Sequence, residues 1–329
     1  MITVSDRMRF HETLRFGKPD RVPLFSEGMR EKVLENWRSQ GYLRERSLSE
    51  IFHFDLREEI SFELPSNIDY FELANRSEGL LWLEIALDSQ IEDCMPTSWL
   101  ENVARWNTRS HVLMLMVHWG FFQTMGVHDW KTFTQLIYLL ADAPNFVRDA
   151  MELNGIFASK LVSKFFDKVD VDSVIFSEPI GGDHGSLISP KMYRDIAMAG
   201  YLPILKELNH FEVDIAIWRT YANTNRLIPI VKEVGINTIW ACESNPEVMD
   251  YIRIREQYGD DLALIGGFDL DLLRYDKVKI RTELESKLPL LLAQGGYIPL
   301  ADGRVREDIP FENYEYYRRL LEKMVMKQQ

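Results

Sequence analysis

The feature that most constrains this chain is a regular alternation of short apolar runs with longer amphipathic segments. The clearest repeat is residues 171–195, VDSVIFSEPIGGDHGSLISPKMYRD. Its first six residues are rich in β-branched side chains, which favours a buried strand. A polar loop with Gly181 and Gly182 follows, and Ser189-Pro190 then offers a capping hydroxyl and a proline at the first helical position. The repeat predicts a strand, a loop that can carry a site, and a returning helix.

The same unit recurs along the chain, most regularly over its C-terminal two-thirds. Strands are predicted at residues 21–25, 112–118, 171–177, 213–218, 237–242, 262–265 and 297–300. Helices are predicted at residues 5–16, 30–40, 130–140, 144–166, 190–209, 226–234, 245–258, 277–293 and 311–326. Residues 80–87 favour a strand or hairpin arm. For residues 51–66 and 89–109 the pattern does not predict which helices or strands form.

Parallel strands that read as continuous apolar runs fit a sheet covered on both faces. About eight strand–helix units predict an α/β fold, a (β/α)8 TIM barrel with an N-terminal helical extension. We expect one domain over residues 1–329. A doubly wound sheet is the alternative. Against it, Gly266-Gly267-Phe268-Asp269 lacks the G-x-G-x-x-G spacing, and the sequence contains no Walker-type phosphate loop.

Charge and cysteine content narrow the class of partner. With 38 Lys and Arg against 51 Asp and Glu, the net charge is −13, which argues against a nucleic-acid surface and disfavours a highly anionic substrate. Only Cys94 and Cys242 are present, so no disulfide framework is expected. The N-terminus lacks the apolar core of a signal peptide, and no apolar run approaches the ~20 residues of a membrane span. We expect a cytoplasmic protein without a membrane partner.

Several motifs, in this order along the chain, resemble the uroporphyrinogen decarboxylase superfamily. They are GKPDRVP at 17–23, LISPKMYR at 187–194, LIP at 227–229 with EVGIN at 233–237, YGD at 258–260, LIGGFD at 264–269 and GGYIP at 295–299. Residues 51–109 match poorly. The resemblance implies a (β/α)8 barrel with its site at the C-terminal mouth of the strands, in agreement with the fold predicted from the repeats.

The superfamily has two chemistries, and the resemblance is closer to the corrinoid methyltransferase branch. One branch decarboxylates uroporphyrinogen without a cofactor; the other moves methyl groups to or from a corrinoid (cobalamin) on a partner protein. Many of those methyltransferases hold zinc through His-x-Cys and a later Cys. The corresponding stretches here, 218–221 and 300–303, supply neither imidazole nor thiolate, so no zinc is expected. The arginine-rich segment of the decarboxylases corresponds to 25–31, which holds a single arginine, Arg30.

Candidate site residues are polar or aromatic groups at predicted strand ends. As catalytic groups we predict His118, Glu178, Arg219, Tyr221 and Glu243. As substrate-binding groups we predict Glu27, Trp119, Phe122, His184, Trp240 and Asp302. Several have a plainer interpretation: His118 as a core or capping histidine, Glu178 and Glu243 as ion pairs with barrel arginines, and Trp240 as a core residue. His184 can equally be a solvated loop residue, and Asp302 can simply pair with Arg304.

The lost zinc ligands favour one substrate class. An alkoxide leaving group resembles hydroxide, whose conjugate acid has a pKa of about 15.7, and it strongly needs a Lewis acid. A phenoxide, with a pKa of about 10, needs only a hydrogen-bond donor or a general acid. We therefore predict O-demethylation of a methoxylated aromatic, with Arg219 stabilising the phenoxide and a corrinoid protein as partner. A cofactor-free decarboxylase and a non-enzymatic binding barrel are the alternatives, and a homodimer stays open.

Overall fold

A computed structural model describes residues 4–43, 46–243 and 248–327 of the chain. Its strands are β1 Arg57–Ser61, β2 Val112–His118, β3 Ser173–Glu178, β4 Gly181–Gly182, β5 Gly185–Ser186, β6 Ala216–Tyr221, β7 Thr238–Cys242, β8 Ala263–Phe268 and β9 Tyr297–Ala301. Its helices are α1 Asp6–Leu14, α2 Glu31–Ser39, α3 Tyr70–Leu73, α4 Gly79–Asp88, α5 Trp99–Asn107, α6 Phe121–Thr124, α7 Trp130–Asp142, α8 Pro144–Phe166, α9 Pro190–Asp195, α10 Tyr201–His210, α11 Ile228–Glu233, α12 Tyr251–Tyr258, α13 Lys277–Gln294 and α14 Phe311–Met326.

The described residues form two compact units. The first unit contains the described residues of Met1–Arg57, Ser110–Val112 and Thr238–Gln329, and the second contains Glu58–Arg109 and Leu113–Asn237. In the first unit β7, β8 and β9 are neighbours and pair in parallel. In the second unit the order is β1, β2, β3, β6, with parallel pairing of β2 with β3 and of β3 with β6. The predicted α/β class with parallel strands is therefore confirmed.

Each unit has its own aromatic core. In the first, Trp37 packs edge-on against Phe311 and tilted against Tyr314, which joins α2 to α14. In the second, Trp99 and Trp106 of α5 both pack against Phe165 of α8. These rings are almost entirely buried, so each removes a large apolar area from water.

The strongly periodic elements fold as predicted. Strand β2 and helices α8 and α14 have the predicted bounds, and α7 ends two residues later than predicted. The Ser189 hydroxyl accepts the Met192 N–H at 3.1 Å, so the predicted cap of α9 is present. Within the described residues, no helix combines the length and apolar character needed to cross a membrane.

Three local predictions are wrong. Residues 21–25 form no strand: Pro23 has no N–H to donate, and the Leu24 N–H donates to the Asp55 carboxylate at 2.7 Å. Residues 80–87 belong to helix α4 and not to a strand. The prediction failed because an almost continuous apolar run suits either structure. The helix predicted at 190–209 is broken into α9 and α10 by a short 3-10 segment, Ala197–Gly200.

Two further predictions change in their bounds. The helix predicted at 226–234 begins as a 3-10 turn, Asn225–Leu227, before α11. The start predicted for the next helix, at Asn245-Pro246, lies outside the described residues, and α12 is described from Tyr251.

Candidate functional site

The parallel strands β3 and β6 of the second unit present two faces with different partners. Alternation of side chains puts Phe176 and Glu178 on one face and Ile175 and Ser177 on the other. Phe176 stacks on Tyr201 of α10 at 4.9 Å between ring centroids, so its face is the helix-facing one. Arg219 pairs with Ser177 across the strands and therefore lies on the opposite face.

Glu178 ends β3 inside a buried cluster of hydrogen-bond donors. It is fully buried, and its Oε1 accepts the Phe121 N–H at 2.9 Å. Its Oε2 accepts the Tyr201 hydroxyl at 2.7 Å and the Tyr193 hydroxyl at 3.3 Å. Burial raises the pKa of Glu178 to about 7, and the three hydrogen bonds lower it only in part. Among the described residues its hydrogen-bond partners are these neutral donors and no arginine, which does not support the alternative of an ion pair.

Gly120 makes the Glu178 contact possible. Its φ of +87° lies in the region that glycine tolerates, and a side chain there would meet the Ser177 carbonyl and the Glu178 carboxylate within 3 Å. The turn after β2 can therefore approach the end of β3 closely enough for Phe121 to donate. One carboxylate thus joins the β2–α6 turn to α9 and α10.

His118 lies on the same helix-facing side as Glu178. A bulge between Met116 and His118 shifts the register, so that His118 pairs with Phe176. Its ring lies 4.5 Å from that of Tyr201, and burial lowers its pKa to about 3. Because its Nδ1 accepts the Gly120 N–H at 2.9 Å, the neutral ring carries its proton on Nε2, which has no partner among the described residues.

Arg219 forms an ion pair on the opposite face of the strands. Its guanidinium lies 2.7 Å from the Glu59 carboxylate of β1, and a second nitrogen lies 3.4 Å from the Met116 sulfur. The Arg219 side chain is mostly buried, whereas that of Glu59 is about one-third exposed (30%). Tyr221, two residues on, is half-buried and points to the same side. Arg219 and Tyr221 therefore lie on one face of the carboxyl-terminal half of β6, and Glu59 at the middle of β1 pairs with Arg219.

Trp119 lines a cavity of about 1060 Å³ in the second unit. Its indole N–H donates to the Phe62 carbonyl at 2.9 Å, which holds the ring beside the cavity. The cavity is further lined by aromatic, amide and charged side chains, among them Phe71, Asn67, Gln123, Gln135 and Lys131. Phe122, by contrast, is buried and packs between Phe121 and Phe133. His184 lies exposed at the turn joining the short strands β4 and β5.

In the first unit, Arg57 brings together two predicted substrate-binding residues. Its guanidinium pairs with Glu27 at 3.2 Å and lies 4.7 Å above the Trp240 ring. The ring of Trp240 is fully buried, so the cation–π contact is shielded from water.

Glu243 and Asp302 are joined through the backbone. The Glu243 N–H donates to the Asp302 carbonyl at 3.2 Å, while the buried Asp302 carboxylate accepts the Leu270 N–H at 3.1 Å. Glu243 has a positive φ of 45°, and its exposed carboxylate lies 3.8 Å from the Arg306 guanidinium. Among the described residues, no group of three His, Cys, Asp or Glu side chains is placed to hold a metal ion.

Sequence reasoning missed the residues that partner the predicted ones. Glu59 and Arg57 lie in residues 51–66, where the pattern predicts no definite helix or strand. Glu59 is also 160 positions from Arg219 in the sequence. Tyr193 was part of a matched motif, and Tyr201 was in a predicted helix. Their place beside Glu178 follows from which face of β3 meets the helices, and alternation alone does not decide that face.

Comparison with known proteins shows a shared fold. No protein-family model and no curated protein sequence matches the chain. Among solved structures, a methyltransferase from Methanosarcina mazei matches 97% of this chain and 99% of its own, with a TM-score of 0.58 and 13% identity. A putative vitamin-B12 independent methionine synthase from Listeria monocytogenes covers 92% and 97%, with 11% identity and a TM-score of 0.41, too low to carry an argument. The chain is thus similar in fold to the Methanosarcina methyltransferase.

Proposed function

We propose that this protein is a corrinoid-dependent methyltransferase of the uroporphyrinogen decarboxylase-like type, acting on methoxylated aromatic compounds. The fold likeness to a methyltransferase over nearly the whole chain supports this branch. In the proposal the parallel strands belong to a (β/α)8 barrel, and the face that carries Arg219 is its interior. Enzymes with that fold hold their reacting groups at the carboxyl ends of the strands.

The observation that carries the proposal is the Arg219–Glu59 pair in the carboxyl-terminal half of β6. The resemblance assigns zinc ligands to this strand end in related methyltransferases, and here a guanidinium stands in that place. A guanidinium stays protonated at any physiological pH and donates hydrogen bonds in a fixed plane. It is suited to stabilising negative charge on a leaving oxygen, which is the requirement for a phenoxide.

Residues of the second unit then have defined roles. The bond between the methyl carbon and the ether oxygen breaks, and its electron pair stays on the oxygen. Arg219 donates to that oxygen, and the Tyr221 hydroxyl is the group on the same face that can pass a proton to it. Glu59 holds the guanidinium in position. Glu178 and His118, on the other face, position the β2–α6 turn rather than touch substrate.

The corrinoid would be presented by a partner protein, and it supplies a strongly nucleophilic low-valent cobalt. The lining of the 1060 Å³ cavity fits such a group. Trp119 and Phe71 offer apolar faces to a planar macrocycle, and the amides of Asn67, Gln123 and Gln135 can exchange hydrogen bonds with the carboxamides at its rim. Lys131 and Asp129 also border the cavity and would meet the partner's surface.

The test is release of free phenol from a methoxyarene in the presence of a reduced corrinoid carrier. We expect phenol only when carrier, methoxyarene and enzyme are all present. Arg219→Ala should lower the rate at least a hundredfold, and Arg219→Lys should recover only part, because an ammonium lacks the planar fork. Arg105→Ala is the matched control: this arginine pairs with Glu58, at 2.7 Å, and stands outside the proposed site.

Three results would replace the proposed function with another. If several methoxyarenes and carriers give no phenol, the methyltransferase proposal is wrong. If the protein instead releases carbon dioxide from uroporphyrinogen, the decarboxylase alternative replaces it. If no substitution at Arg219 changes any measured activity, the non-enzymatic binding barrel replaces the enzyme proposal.

A further inference from the structure

The short hairpin of β4 and β5 packs directly against the end of β6. The Asn223 N–H, two residues beyond the strand, donates to the Gly182 carbonyl at 3.3 Å, and these two residues form an antiparallel bridge. The Thr220 hydroxyl donates to the Glu178 carbonyl at 3.2 Å, just before the hairpin begins. Contacts with the backbone of the hairpin and of β3 therefore hold the strand that ends at Tyr221.

Gly181 makes the closest approach between the hairpin and β6. A β-carbon at this position would lie 2.1 Å from the Tyr221 carbonyl oxygen and 3.0 Å from the Asn223 nitrogen. Both are backbone atoms, so neither can turn aside as the end of a side chain could. A residue with a side chain must push the two backbones apart by about 1 Å to reach an ordinary contact distance. The φ of Gly181 lies outside the left-handed region, so glycine is needed here for space alone.

The chain just past Tyr221 is held in a strained conformation. Ala222 has a φ of 55°, in the left-handed region that residues with a side chain seldom adopt. Such a conformation costs free energy and persists only where the surrounding contacts impose it. The contacts that Gly181 and Gly182 make with residues 221–223 are of that kind, so the hairpin restrains the backbone of Tyr221.

We propose that Gly181 is a positioning residue of the reaction: its missing side chain lets the hairpin pack against β6 and so places the Tyr221 hydroxyl for proton transfer. This inference rests on the proposed function, in which Tyr221 passes a proton to the leaving oxygen. In this role Gly181 acts only through the backbone of Tyr221. A displacement of about 1 Å in a reacting group can slow a reaction about a hundredfold, so a contact this close can set the rate.

The experiment compares Gly181→Ala with Gly182→Ala, a matched control one residue away. A β-carbon on Gly182 would lie 3.3 Å from Leu187 Cδ2 and 3.4 Å from the Gly185 carbonyl oxygen, and the leucine end can move aside. The φ of Gly182 is also outside the left-handed region, and its carbonyl remains to accept from Asn223. The two variants therefore make the same chemical change with and without a backbone clash.

Each variant is also combined with Tyr221→Phe, and phenol release with a reduced corrinoid carrier gives a double-mutant cycle. We expect Gly181→Ala to lower kcat at least about tenfold with little change in the KM for the methoxyarene, and Gly182→Ala to leave both nearly unchanged. In the Tyr221→Phe background Gly181→Ala should cause no further loss, because the hydroxyl that it displaces is already gone. An equal loss in both backgrounds would mark Gly181 as structural only, and that result or full activity in Gly181→Ala would overturn the inference.

A third substitution keeps the cycle readable if Gly181→Ala does not fold. Ala222→Gly is then added, since glycine takes the positive φ without strain and lets this segment yield to the new methyl group. The same cycle is measured against Ala222→Gly alone, with the same expected and contrary results.

A spectroscopic measurement separates this inference from the proposed function. Tyrosine labelled with carbon-13 at Cζ gives one resonance for each tyrosine, and that of Tyr221 is the one missing in Tyr221→Phe. It should shift in Gly181→Ala and stay in place in Gly182→Ala, and an unmoved resonance in Gly181→Ala would contradict the positioning role. If the resonance shifts as expected but the wild type releases no phenol with any carrier, the proposed function fails while the placement of Tyr221 by Gly181 stands.

Discussion

Two glutamates of the second unit, Glu178 and Glu59, differ in their burial and in the charge of their partners. Glu178 is fully buried on the helix-facing side, and its partners in the described part of the chain are neutral donors, two tyrosine hydroxyls and a backbone N–H. Glu59 lies on the other side, partly exposed, and is paired with Arg219. The first has a pKa raised to about 7 because burial disfavours its charge. The second has a cation beside it and supports a charged pair.

In the proposed function, Glu178 has a structural role and Glu59 has a role in the chemistry. A buried carboxylate without a cation is costly when ionised, so it is tolerated where its hydrogen bonds hold segments together. Glu178 does this for the β2–α6 turn, α9 and α10. A carboxylate paired with an arginine at a strand end keeps a charged donor ready at low cost. Glu59 does this for Arg219, and the following experiments are designed to separate these two roles.

The largest expected effect comes from removing the Glu178 carboxyl group. Glu178→Ala leaves the Phe121 N–H and the Tyr201 hydroxyl without their acceptor and opens a small cavity, so the free energy of unfolding should fall by about 3 to 4 kcal/mol. Urea denaturation followed by circular dichroism measures it. A loss below about 1 kcal/mol would mean that the cluster does not hold the loop and helices together.

The next effect is a dependence of stability on pH. The folded state raises the Glu178 pKa from 4.5 to about 7, so it binds this proton more tightly than the unfolded chain. The contribution is fully present below pH 4.5 and is lost as pH rises towards 7, a fall of about 3 kcal/mol in the free energy of unfolding. In Glu178→Gln this component should vanish. The difference between the two urea curves across that pH range isolates it, and equal slopes would contradict the assignment.

A smaller effect should distinguish the two tyrosines. The Tyr201 hydroxyl donates to Glu178 at 2.7 Å and that of Tyr193 at 3.3 Å. Tyr201→Phe should therefore cost about 1.5 kcal/mol, and Tyr193→Phe about half of that. Both losses are measured by urea denaturation at pH 7. A larger loss in Tyr193→Phe would mean that the weaker hydrogen bond is the one that matters.

The smallest effect on stability is expected at the ion pair. Glu59→Gln should change the free energy of unfolding by less than about 1 kcal/mol, because a partly exposed pair contributes little net stability. Its consequences should appear in the rate of phenol release instead. If Glu59→Gln destabilised the protein as much as Glu178→Ala, the contrast between a structural and a functional glutamate would not hold.

The elements with strong periodicity were predicted from the sequence. Contacts between residues far apart in the chain were not. Strand β2 and helix α14 were predicted to the residue, because β2 is a continuous apolar run and α14 repeats its apolar residues at helical spacing. Residues 80–87 were assigned to a strand in error, since an apolar run without polar spacing fits either structure.

The candidate site was harder to predict for a physical reason. The role of Glu178 turns on which face of β3 meets α10, and a bulge at Met116 decides the same question for His118. The partnership of Arg219 with Glu59 joins positions 160 residues apart, which no local pattern specifies. Arg219 itself was predicted, because it stands where the resemblance expected a metal ligand.

The most direct measurement of the central claim follows an oxygen label through the reaction. A methoxyarene carrying oxygen-18 in its ether is incubated with the enzyme and a reduced corrinoid carrier, and the phenol is analysed by mass spectrometry. If Arg219 stabilises a phenoxide as the methyl group departs, all of the label stays in the phenol, and Arg219→Ala forms that product at least a hundredfold more slowly. Phenol that has lost the label, or formation at the wild-type rate in Arg219→Ala, would contradict the account.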